Sequence, residues 1–226
     1  MHNPRVCTVV TGKTIKEFLD NLEKIQHFAD FVELRADYIS NLSPESIAIM
    51  KSKTNKKAIF TCRRKNEGGK YEGNETERKK IIETADSLGF DFIDIELSSA
   101  NTFDTKNFHT KIILSFHDFT VTPPLEELIK IKNAMRKYAP SIMKFATVIK
   151  NKIDEKNVLL LLLSKEPEEQ MIVTGIGENS KLIRVIAPLL DSYCTFASSE
   201  YSQSAPGQID STALEDIYTK IKTAIR

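Results

Sequence analysis

The stretch Phe92-Ile93-Asp94-Ile95-Glu96-Leu97 alternates apolar and acidic side chains, and this alternation decides the fold. Successive side chains of a β-strand point to opposite faces, so the pattern predicts a strand with one apolar face and one charged face. Polar residues occupy alternate positions in four further segments: Glu33 and Arg35, Thr61 and Arg63, Ser115 and His117, and Lys144. We therefore expect a sheet that carries charged side chains on one face, strand after strand.

Short β-rich segments alternate with longer amphipathic segments along the whole chain. The predicted strands are Arg5–Val10, Phe31–Arg35, Lys57–Arg63, Phe92–Leu97, Lys111–Phe116, Ile142–Ala146, Met171–Gly175 and Tyr193–Ala197. The predicted helices are Ile15–Phe28, Ser43–Lys53, Glu75–Leu88, Leu125–Met135, Ile153–Leu163, Lys181–Leu190 and Ser211–Ile225. The stretch from Ser98 to Asn107 is polar and short, so no full helix is expected after the fourth strand. This order indicates an α/β protein, a single-domain (β/α)8 TIM barrel over residues 1–226, with a doubly wound open sheet as the alternative.

The charged face favours the barrel over the open sheet. Strands that are separated by helices run parallel, and parallel sheets are usually covered on both faces. Charges buried there without partners would cost on the order of several kcal/mol each. A barrel can hold such charges inside, paired with one another near its C-terminal mouth, where the active sites of this architecture lie.

The composition is that of an ordinary globular chain, with 41% hydrophobic and 28% charged residues. The 32 Lys and Arg residues balance 31 Asp and Glu residues, so the basic excess that favours nucleic-acid or membrane binding is absent and a small-molecule partner is expected. The longest apolar run, from Val158 to Leu163, is far shorter than the about 20 residues that span a bilayer, and the N-terminus lacks signal-peptide features. We therefore expect a cytoplasmic protein. Cys7, Cys62 and Cys194 lie far apart in apolar stretches and are expected to be buried thiols.

Lys144 is the candidate nucleophile. It lies within Ile142-Met143-Lys144-Phe145-Ala146, where burial would favour the neutral amine that attacks a carbonyl to give a Schiff base. The alternative is a structural lysine that reaches solvent from the strand end or pairs with Glu33 or Glu96.

His117 is the candidate proton carrier, since it follows the fifth strand and belongs to the unit next to Lys144. Glu67, in the loop Glu67-Gly68-Gly69, could orient and polarise a histidine, although a solvated charged loop has the same composition. A structural hydrogen bond is the alternative role for His117.

Two later segments are candidates for holding a ligand. Thr174-Gly175-Ile176-Gly177 follows the seventh strand, with Arg184 on the next helix, at the place where barrel enzymes hold a substrate anion. The small-residue stretch Ser202–Gln208 after the eighth strand could fold over a ligand as a lid. Ordinary connecting loops share this composition.

Taken together, the sequence resembles the type I 3-dehydroquinate dehydratases of the shikimate pathway. The matching segments run in family order: Glu33-Leu34-Arg35-Ala36-Asp37, Thr61-Cys62-Arg63 with Glu67-Gly68-Gly69, Asp94-Ile95-Glu96-Leu97, Ser115-Phe116-His117-Asp118-Phe119, Met143-Lys144-Phe145-Ala146 and Ser204-Ala205-Pro206-Gly207-Gln208. Each segment alone is weak, but together they span almost the whole chain.

The resemblance implies a hydro-lyase that removes water from 3-dehydroquinate by syn elimination. It implies that Lys144 forms the Schiff base, that His117 is the general acid and base, and that Glu67 holds the imidazole. The substrate-binding residues implied are Glu33, Arg35, Arg63, Arg184, Ser204 and Gln208. The resemblance further implies a homodimer, with no metal and no organic cofactor.

The sequence also departs from the family pattern in three places. Phe116 stands where tyrosine is frequent, but it is expected to face the helices. The lid loop is slightly longer than in some members, which leaves Ser202 and Ser204 as alternatives for one role. The N-terminal hairpin that caps the barrel bottom in longer relatives is expected to be missing.

Two other functions remain open on sequence grounds. A class I aldolase or transaldolase also uses a barrel lysine, but it needs a sugar-phosphate site. A catalytically silent barrel kept for binding would not need Lys144, His117 and Glu67 together.

Overall fold

The structure, a computed structural model, describes residues 4–225. Met1–Asn3 and Arg226, which the predicted domain includes, lie outside the described residues. The strands are β1 (Val6–Val10), β2 (Phe31–Arg35), β3 (Lys57–Thr61), β4 (Phe92–Glu96), β5 (Lys111–Asp118), β6 (Ile142–Val148), β7 (Met171–Ile176) and β8 (Thr195–Ala197). The α-helices are α1 (Ile15–Gln26), α2 (Pro44–Lys53), α3 (Glu75–Ser87), α4 (Leu125–Arg136), α5 (Lys152–Leu163), α6 (Lys181–Leu189) and α7 (Ser211–Ile225).

The segment between β4 and β5 contains two short 3₁₀ helices, Leu97–Thr102 and Thr105–Asn107. The prediction that no full helix follows the fourth strand is therefore confirmed. The starts of α1, α2, α3 and α5 each have a side-chain cap. The Ser43 hydroxyl accepts the N–H of Ser46, and Pro44 occupies the first turn of α2.

All strand pairs are parallel, and the order across the sheet of the described chain is β7-β6-β5-β4-β3-β2-β1-β8. The outer strands β7 and β8 approach each other without a regular ladder. Instead the N–H of Tyr193 donates to the carbonyl of Met171 at 2.7 Å, and the N–H of Val173 donates to the Ser192 hydroxyl at 3.2 Å. The sheet is thus a nearly closed barrel, which confirms the predicted (β/α)8 fold and shows that the open-sheet alternative is wrong.

Seven strand ends differ from the predicted bounds by one or two residues, and three of these differences illustrate the causes. β3 ends at Thr61 because the Arg63 carbonyl leaves the sheet and accepts the N–H of Tyr71. β5 continues to Asp118 because that residue still pairs with Thr147 of β6. β8 begins only at Thr195, since the preceding residues make the irregular contacts with β7.

The inner face of the barrel changes from apolar to charged along the strands. An apolar cluster fills the lower interior and includes Cys7, Val9, Phe31, Ile59, Phe92, Ile113, Ile142, Ile172, Cys194 and Phe196. Lys57 closes the floor, with its Nζ 5.1 Å from the centre of the Phe92 ring and 2.8 Å from the Tyr193 hydroxyl. The predicted charged face lies above this cluster, toward the C-terminal mouth.

The opposite strand face packs against the helices. Val32, Leu34 and Phe60 are fully buried there, and Phe116 lies beside Phe145 with the ring centres 6.1 Å apart. The three cysteines are buried and free, as the sequence predicted. No helix among residues 4–225 is long and apolar enough to cross a membrane.

Candidate active site

A cavity of about 210 Å³ lies at the C-terminal end of the barrel. It is lined by every predicted site residue except Glu67, namely Glu33, Arg35, Arg63, His117, Lys144, Arg184, Ser204 and Gln208. Gly68, Phe119, Ala146, Thr174, Ile176, Phe196, Ala205 and Pro206 complete the lining. The cavity therefore collects side chains that lie more than 170 residues apart in sequence, from Glu33 to Gln208.

Lys144 lies at the base of this cavity on β6, and only 3% of its surface is exposed. Its Nζ is 2.9 Å from Asp94 Oδ2 and 3.7 Å from Glu33 Oε1. The Phe196 ring lies on another side, with its centre 4.2 Å from Nζ. The sequence had left open a pairing of Lys144 with Glu33 or Glu96. The observed partners are Asp94 and Glu33.

Asp94 joins Lys144 to Arg63. Arg63 Nη2 donates to Asp94 Oδ1 at 2.5 Å, and the Ser115 hydroxyl donates to the same oxygen at 2.7 Å. Burial alone would raise the pKa of Asp94, but the cations Arg63 and Lys144 hold it well below its usual range. A permanent carboxylate therefore lies beside the candidate nucleophile and keeps its amine in a fixed position.

His117 extends from β5, one step closer to the mouth than Lys144, because Ser115 is the residue in register with Lys144. Its Nδ1 lies 3.5 Å from Glu67 Oε2, and both ring nitrogens are buried without a partner in hydrogen-bond geometry among the described residues. Burial and the nearby Arg63 cation lower the pKa of His117 to about 3, against the opposing effect of Glu67. The imidazole is consequently neutral near pH 7, which is the form that can accept a proton.

Glu67 does not line the cavity but contacts His117 from behind. Burial would raise the pKa of Glu67, but its interactions with His117 and Ser98 lower it, so the group is a carboxylate. A carboxylate beside Nδ1 favours the tautomer that carries its proton on Nδ1 and leaves Nε2 as an acceptor. This arrangement fits the predicted role of Glu67 in holding the imidazole.

Phe119 covers this pair at the mouth. Its ring is nearly parallel to the His117 ring, with an angle of 16° and 6.1 Å between the centres. The backbone of Gly68 passes close beneath it, and a Cβ at Gly68 would lie 2.1 Å from the Phe119 ring. Gly68 also has a φ of +76°, so glycine is required here for both conformation and space.

Arg184 on α6 is the one buried cation of the cavity that has no carboxylate partner among the described residues. Its guanidinium donates to the carbonyls of Gly175 at 2.7 Å and Phe196 at 3.3 Å, and to the Ser180 hydroxyl at 3.2 Å. Burial lowers its pKa to about 10. Because a buried cation without a counter-ion is costly, the arrangement is suited to an anionic ligand.

Arg35 and Glu33 are held by neighbours on the adjacent loops and strands. Arg35 donates from Nε and Nη2 to the two carboxylate oxygens of Asp37, at 2.9 and 2.8 Å. Thr61 donates to Glu33 Oε1 at 3.0 Å. Both side chains are almost fully buried, so they present fixed polar groups to the cavity rather than mobile ones.

The loop after β8 closes the cavity from above. Gln208 Oε1 accepts the backbone N–H of Ser204 at 2.9 Å and that of Ala205 at 3.2 Å, which keeps the loop compact. Ser204 lines the cavity, whereas Ser202 is buried against β1 with its hydroxyl 2.8 Å from that of Thr11. Of the two alternatives left by the sequence, Ser204 is therefore the serine positioned to contact a ligand.

The loop after β8 also contacts the loop after β7. Gly207 has a φ of +77°, and a Cβ there would lie 2.1 Å from the Gly177 carbonyl oxygen. Glycine at this position lets the two loops touch directly above Arg184.

Apart from Arg184, each cationic side chain of the cavity is paired with a carboxylate. Among the described residues, no cluster of three or more His, Cys, Asp and Glu side chains has the geometry to hold a metal ion. The polar groups instead surround an organic-sized space with one lysine, one histidine and one unpaired guanidinium.

Several contacting residues were not assigned a role from the sequence. Asp94 was placed on the charged face by its alternation, and its position between two cations could have been inferred from that face. Phe196 follows the same strand period. Ser98, which touches Glu67, and Arg78, which reaches Glu96 from α3, lie outside any strand pattern and gave no signal.

Known proteins resemble this chain over nearly its whole length. The sequence model of the type I 3-dehydroquinase family matches residues 6–224. The 3-dehydroquinate dehydratase of Coxiella burnetii (strain Dugway 5J108-111) is 43% identical over 220 residues, which cover 97% of this chain and 94% of that protein. The 3-dehydroquinate dehydratase of Methanocaldococcus jannaschii is 34% identical over 219 residues, covering 94% and 97% of the two chains.

Solved structures show the same likeness. The crystal structure of 3-dehydroquinate dehydratase from Geobacillus kaustophilus HTA426 has a TM-score of 0.89 with 26% identity, and the match covers 99% of this chain and 93% of that one. The chain therefore belongs to the type I 3-dehydroquinase family, as its sequence motifs predicted.

Proposed function

We propose that this protein is a 3-dehydroquinate dehydratase of the shikimate pathway, a hydro-lyase that converts 3-dehydroquinate to 3-dehydroshikimate through a Schiff base on Lys144. One observation carries the proposal: Lys144, His117 and the unpaired Arg184 line a single cavity in a chain of the type I 3-dehydroquinase family. The choice of 3-dehydroquinate as substrate is supported by the names of the relatives, which are 3-dehydroquinate dehydratases.

Lys144 supplies the nucleophile of this proposal. Its nitrogen attacks the C3 ketone, a C=N bond forms, and the carbonyl oxygen leaves as water. The positive iminium withdraws electrons from the neighbouring carbon and acidifies the proton at C2. Asp94 at 2.9 Å and Glu33 at 3.7 Å lie where they can stabilise the cationic nitrogen.

His117 carries the proton. As a neutral base it takes the C2 proton on Nε2, and the electron pair of the C–H bond moves into the iminium to give an enamine. The imidazolium then gives this proton to the C1 hydroxyl, whose C–O bond breaks as the enamine electrons return. One histidine can serve both steps because abstraction and departure occur on the same side, a syn elimination. Hydrolysis of the iminium releases 3-dehydroshikimate and restores Lys144.

Arg184 binds the carboxylate of the substrate. Three of its five N–H groups are held by the Ser180 hydroxyl and the carbonyls of Phe196 and Gly175, so the guanidinium is oriented before the ligand arrives and two N–H groups remain for it. A carboxylate would supply the counter-ion that this buried cation lacks. Ser204 and Gln208 of the lid would add hydrogen bonds on the same side of the cavity.

Glu33, Arg35 and Arg63 contact the ring hydroxyls in this proposal. All three line the cavity and are fixed by neighbouring side chains, including Asp37, Thr61 and Asp94. Fixed donors and acceptors lower the reorganisation needed when charge moves in the ring.

Borohydride trapping tests the proposal directly. The protein is incubated with 3-dehydroquinate and sodium borohydride and analysed by intact and peptide mass spectrometry, with Lys144→Ala as the matched control. A stable adduct on Lys144 of the native protein, absent in the variant, is expected together with new enone absorbance in unreduced samples. A folded protein that gives neither an adduct nor enone absorbance would refute the function and promote the aldolase or silent-barrel alternatives.

The proposal extends to a cytoplasmic homodimer. Its support is the family resemblance for the dimer and the sequence composition for the location. Light scattering coupled to size-exclusion chromatography measures the mass of the particle, and a mass of one chain at micromolar concentration would contradict the dimer.

A further inference from the structure

Glu67 is tied on its far side to two residues that do not line the cavity. The Ser98 hydroxyl donates to Glu67 Oε1 at 2.6 Å. Arg64 Nη2 in turn donates to the Ser98 oxygen at 2.5 Å and lies 3.6 Å from Glu67 Oε1. Since Glu67 Oε2 faces His117 Nδ1 at 3.5 Å, the four side chains form a continuous polar chain from the surface to the imidazole.

The local backbone explains why Glu67 needs this second contact. Glu67 ends a single 3₁₀ turn, Lys65–Glu67, and is followed by Gly68 in the left-handed conformation. Its side chain is 18% exposed, and the described contacts of Oε1 come from Ser98 and Arg64 alone. A glutamate on such a short turn has several accessible rotamers, so a fixed partner for Oε1 is needed to keep Oε2 toward His117.

The 3₁₀ segment after β4 delivers that partner. Ser98 and Ser99 are adjacent in this segment but make contacts on different sides. Ser98 contacts Glu67, whereas Ser99 accepts a hydrogen bond from Arg78 Nη2 at 2.9 Å, away from the imidazole. This contact therefore depends on the 3₁₀ segment that brings the Ser98 side chain to the loop after β3.

We propose that Ser98, supported by Arg64, is a positioning residue that fixes the Glu67 carboxylate against His117 and so sets the tautomer and proton affinity of that pair. This inference rests on the proposed function for its kinetic consequences. Its structural consequence, the tautomer of His117, does not depend on any substrate.

The sign of the expected pH effect follows from the charges around the pair. Glu67 faces His117 and Arg64. His117 also faces Arg63 from the segment after β3, Asp94 from β4 and Lys144 from β6. The Ser98 hydrogen bond stabilises the glutamate anion. Its removal makes the Glu67–His117 pair more basic, so the pair takes up a proton at higher pH and the acid limb of kcat/KM moves upward.

Ser98→Ala is the principal test. The Ser98 side chain is exposed, so the variant is expected to fold normally. We expect kcat for 3-dehydroquinate to fall about three- to tenfold, consistent with one lost charge-assisted hydrogen bond. We expect KM to stay within about twofold, because neither Ser98 nor Glu67 lines the cavity.

Two variants separate positioning from a general loosening of the segment. Ser98→Thr keeps the hydroxyl and is expected to retain the native pH profile. Ser99→Ala removes a buried hydrogen bond of the same segment and is expected to lower the melting temperature without moving the acid limb. An acid limb that moved equally in Ser98→Ala and Ser99→Ala would overturn the proposal.

Nuclear magnetic resonance of isotope-labelled histidine gives a readout without substrate. The chain has only 4 histidines, so the His117 ring signals can be assigned with a His117→Asn variant. The native protein is expected to show the tautomer with the proton on Nδ1, and Ser98→Ala a larger share of the other tautomer. Identical tautomer populations in the two proteins would refute the positioning role, whereas an inactive native protein with a shifted tautomer in Ser98→Ala would refute only the proposed function.

Discussion

Ile142 and Lys144 lie two residues apart on β6 and point into the same barrel, yet their surroundings differ in kind. Ile142 is 1% exposed and belongs to the apolar cluster of the lower interior. Lys144 is 3% exposed and lies among Asp94, Glu33 and Phe196 at the base of the cavity. Two residues along β6 thus separate the floor of the barrel, the apolar cluster that contains Ile142, from its mouth, the charged region that contains Lys144.

The same division runs around the whole barrel. Ile59 lies below Thr61, Phe92 below Asp94, and Ile113 below Ser115, in each case on the same inner face. The floor stabilises the folded protein by burying apolar surface, which requires side chains of suitable volume and shape but no particular functional group. The mouth buries charges that are paired among themselves, an arrangement that adds little net stability and is better explained by a reaction. Substitutions in the two regions should therefore affect different measurements.

The largest expected effect is that of Lys144→Met at the mouth. It keeps a side chain of similar length but removes the nucleophile, and we expect kcat to fall at least about 1000-fold. The far-UV circular dichroism spectrum should be that of the native protein. Residual activity within tenfold of native would mean that Lys144 does not act covalently. The claim that the mouth is the catalytic region of the barrel would then be wrong.

Ile142→Ala tests the floor on the same strand. Loss of a buried branched side chain leaves a cavity, and we expect the free energy of unfolding to fall by about 3 kcal/mol. Because Lys144 keeps its contacts with Asp94 and Glu33, kcat should stay within about threefold of native. Urea denaturation measures the free energy of unfolding, and steady-state kinetics measure kcat. Ile142→Val, which leaves a smaller cavity, should lower the free energy of unfolding by about 1 kcal/mol. A collapse of kcat in a folded Ile142→Ala protein would show that the two regions are mechanically coupled.

The sequence predicted this division because strand periodicity is a strong local signal. The alternation placed Glu33, Thr61, Asp94, Ser115 and Lys144 on one face, and all five are buried inside the barrel. The family motifs added the individual roles, which periodicity alone could not have assigned. Only these motifs favoured the interpretation of Lys144 as a nucleophile over that of a lysine paired for structure.

The sequence could not predict contacts that depend on irregular backbone. Ser98 reaches Glu67 from a 3₁₀ segment that has no period of its own. Arg78 lies in the highly charged stretch of α3 and resembles a solvated residue, but it is fully buried and donates to Glu96 and the Cys62 carbonyl. Between β7 and β8, the N–H of Val173 likewise donates to the Ser192 hydroxyl where a regular sheet would have a backbone carbonyl. Such features follow from how the elements meet and not from the elements themselves.

The pH dependence of stability should originate at the mouth. His117 is buried and neutral with a pKa of about 3, against a value of 6.5 for an ordinary histidine. As pH falls below 6.5 the unfolded chain binds a proton that the folded protein does not, so the folded protein loses stability. Between pH 6.5 and 4.5, the ordinary value for glutamate, this loss should be smaller in His117→Asn than in the native protein.

Thermal melting across that range measures the effect, and Ile142→Ala is the control from the floor. The control should be less stable at every pH but should lose stability with falling pH in parallel with the native protein. A His117→Asn curve parallel to the native one would instead place the acid sensitivity elsewhere in the molecule.

The smallest expected effect concerns Lys57, the charged residue that closes the floor. Its ammonium contacts the rings of Phe31, Phe92 and Tyr193 and donates to the Tyr193 hydroxyl. Lys57→Met keeps the apolar stem but loses the cation–π contacts, which are worth about 0.5 to 1 kcal/mol at a partly exposed site. We expect a fall in melting temperature of about 1 to 4 °C with unchanged kcat and KM. Tyr193→Phe, which removes only the hydroxyl, should cost less than Lys57→Met if the rings rather than the hydrogen bond hold the ammonium. An equal or greater loss in Tyr193→Phe would show that the floor too depends on a specific polar contact, and the contrast with the mouth would then be one of degree.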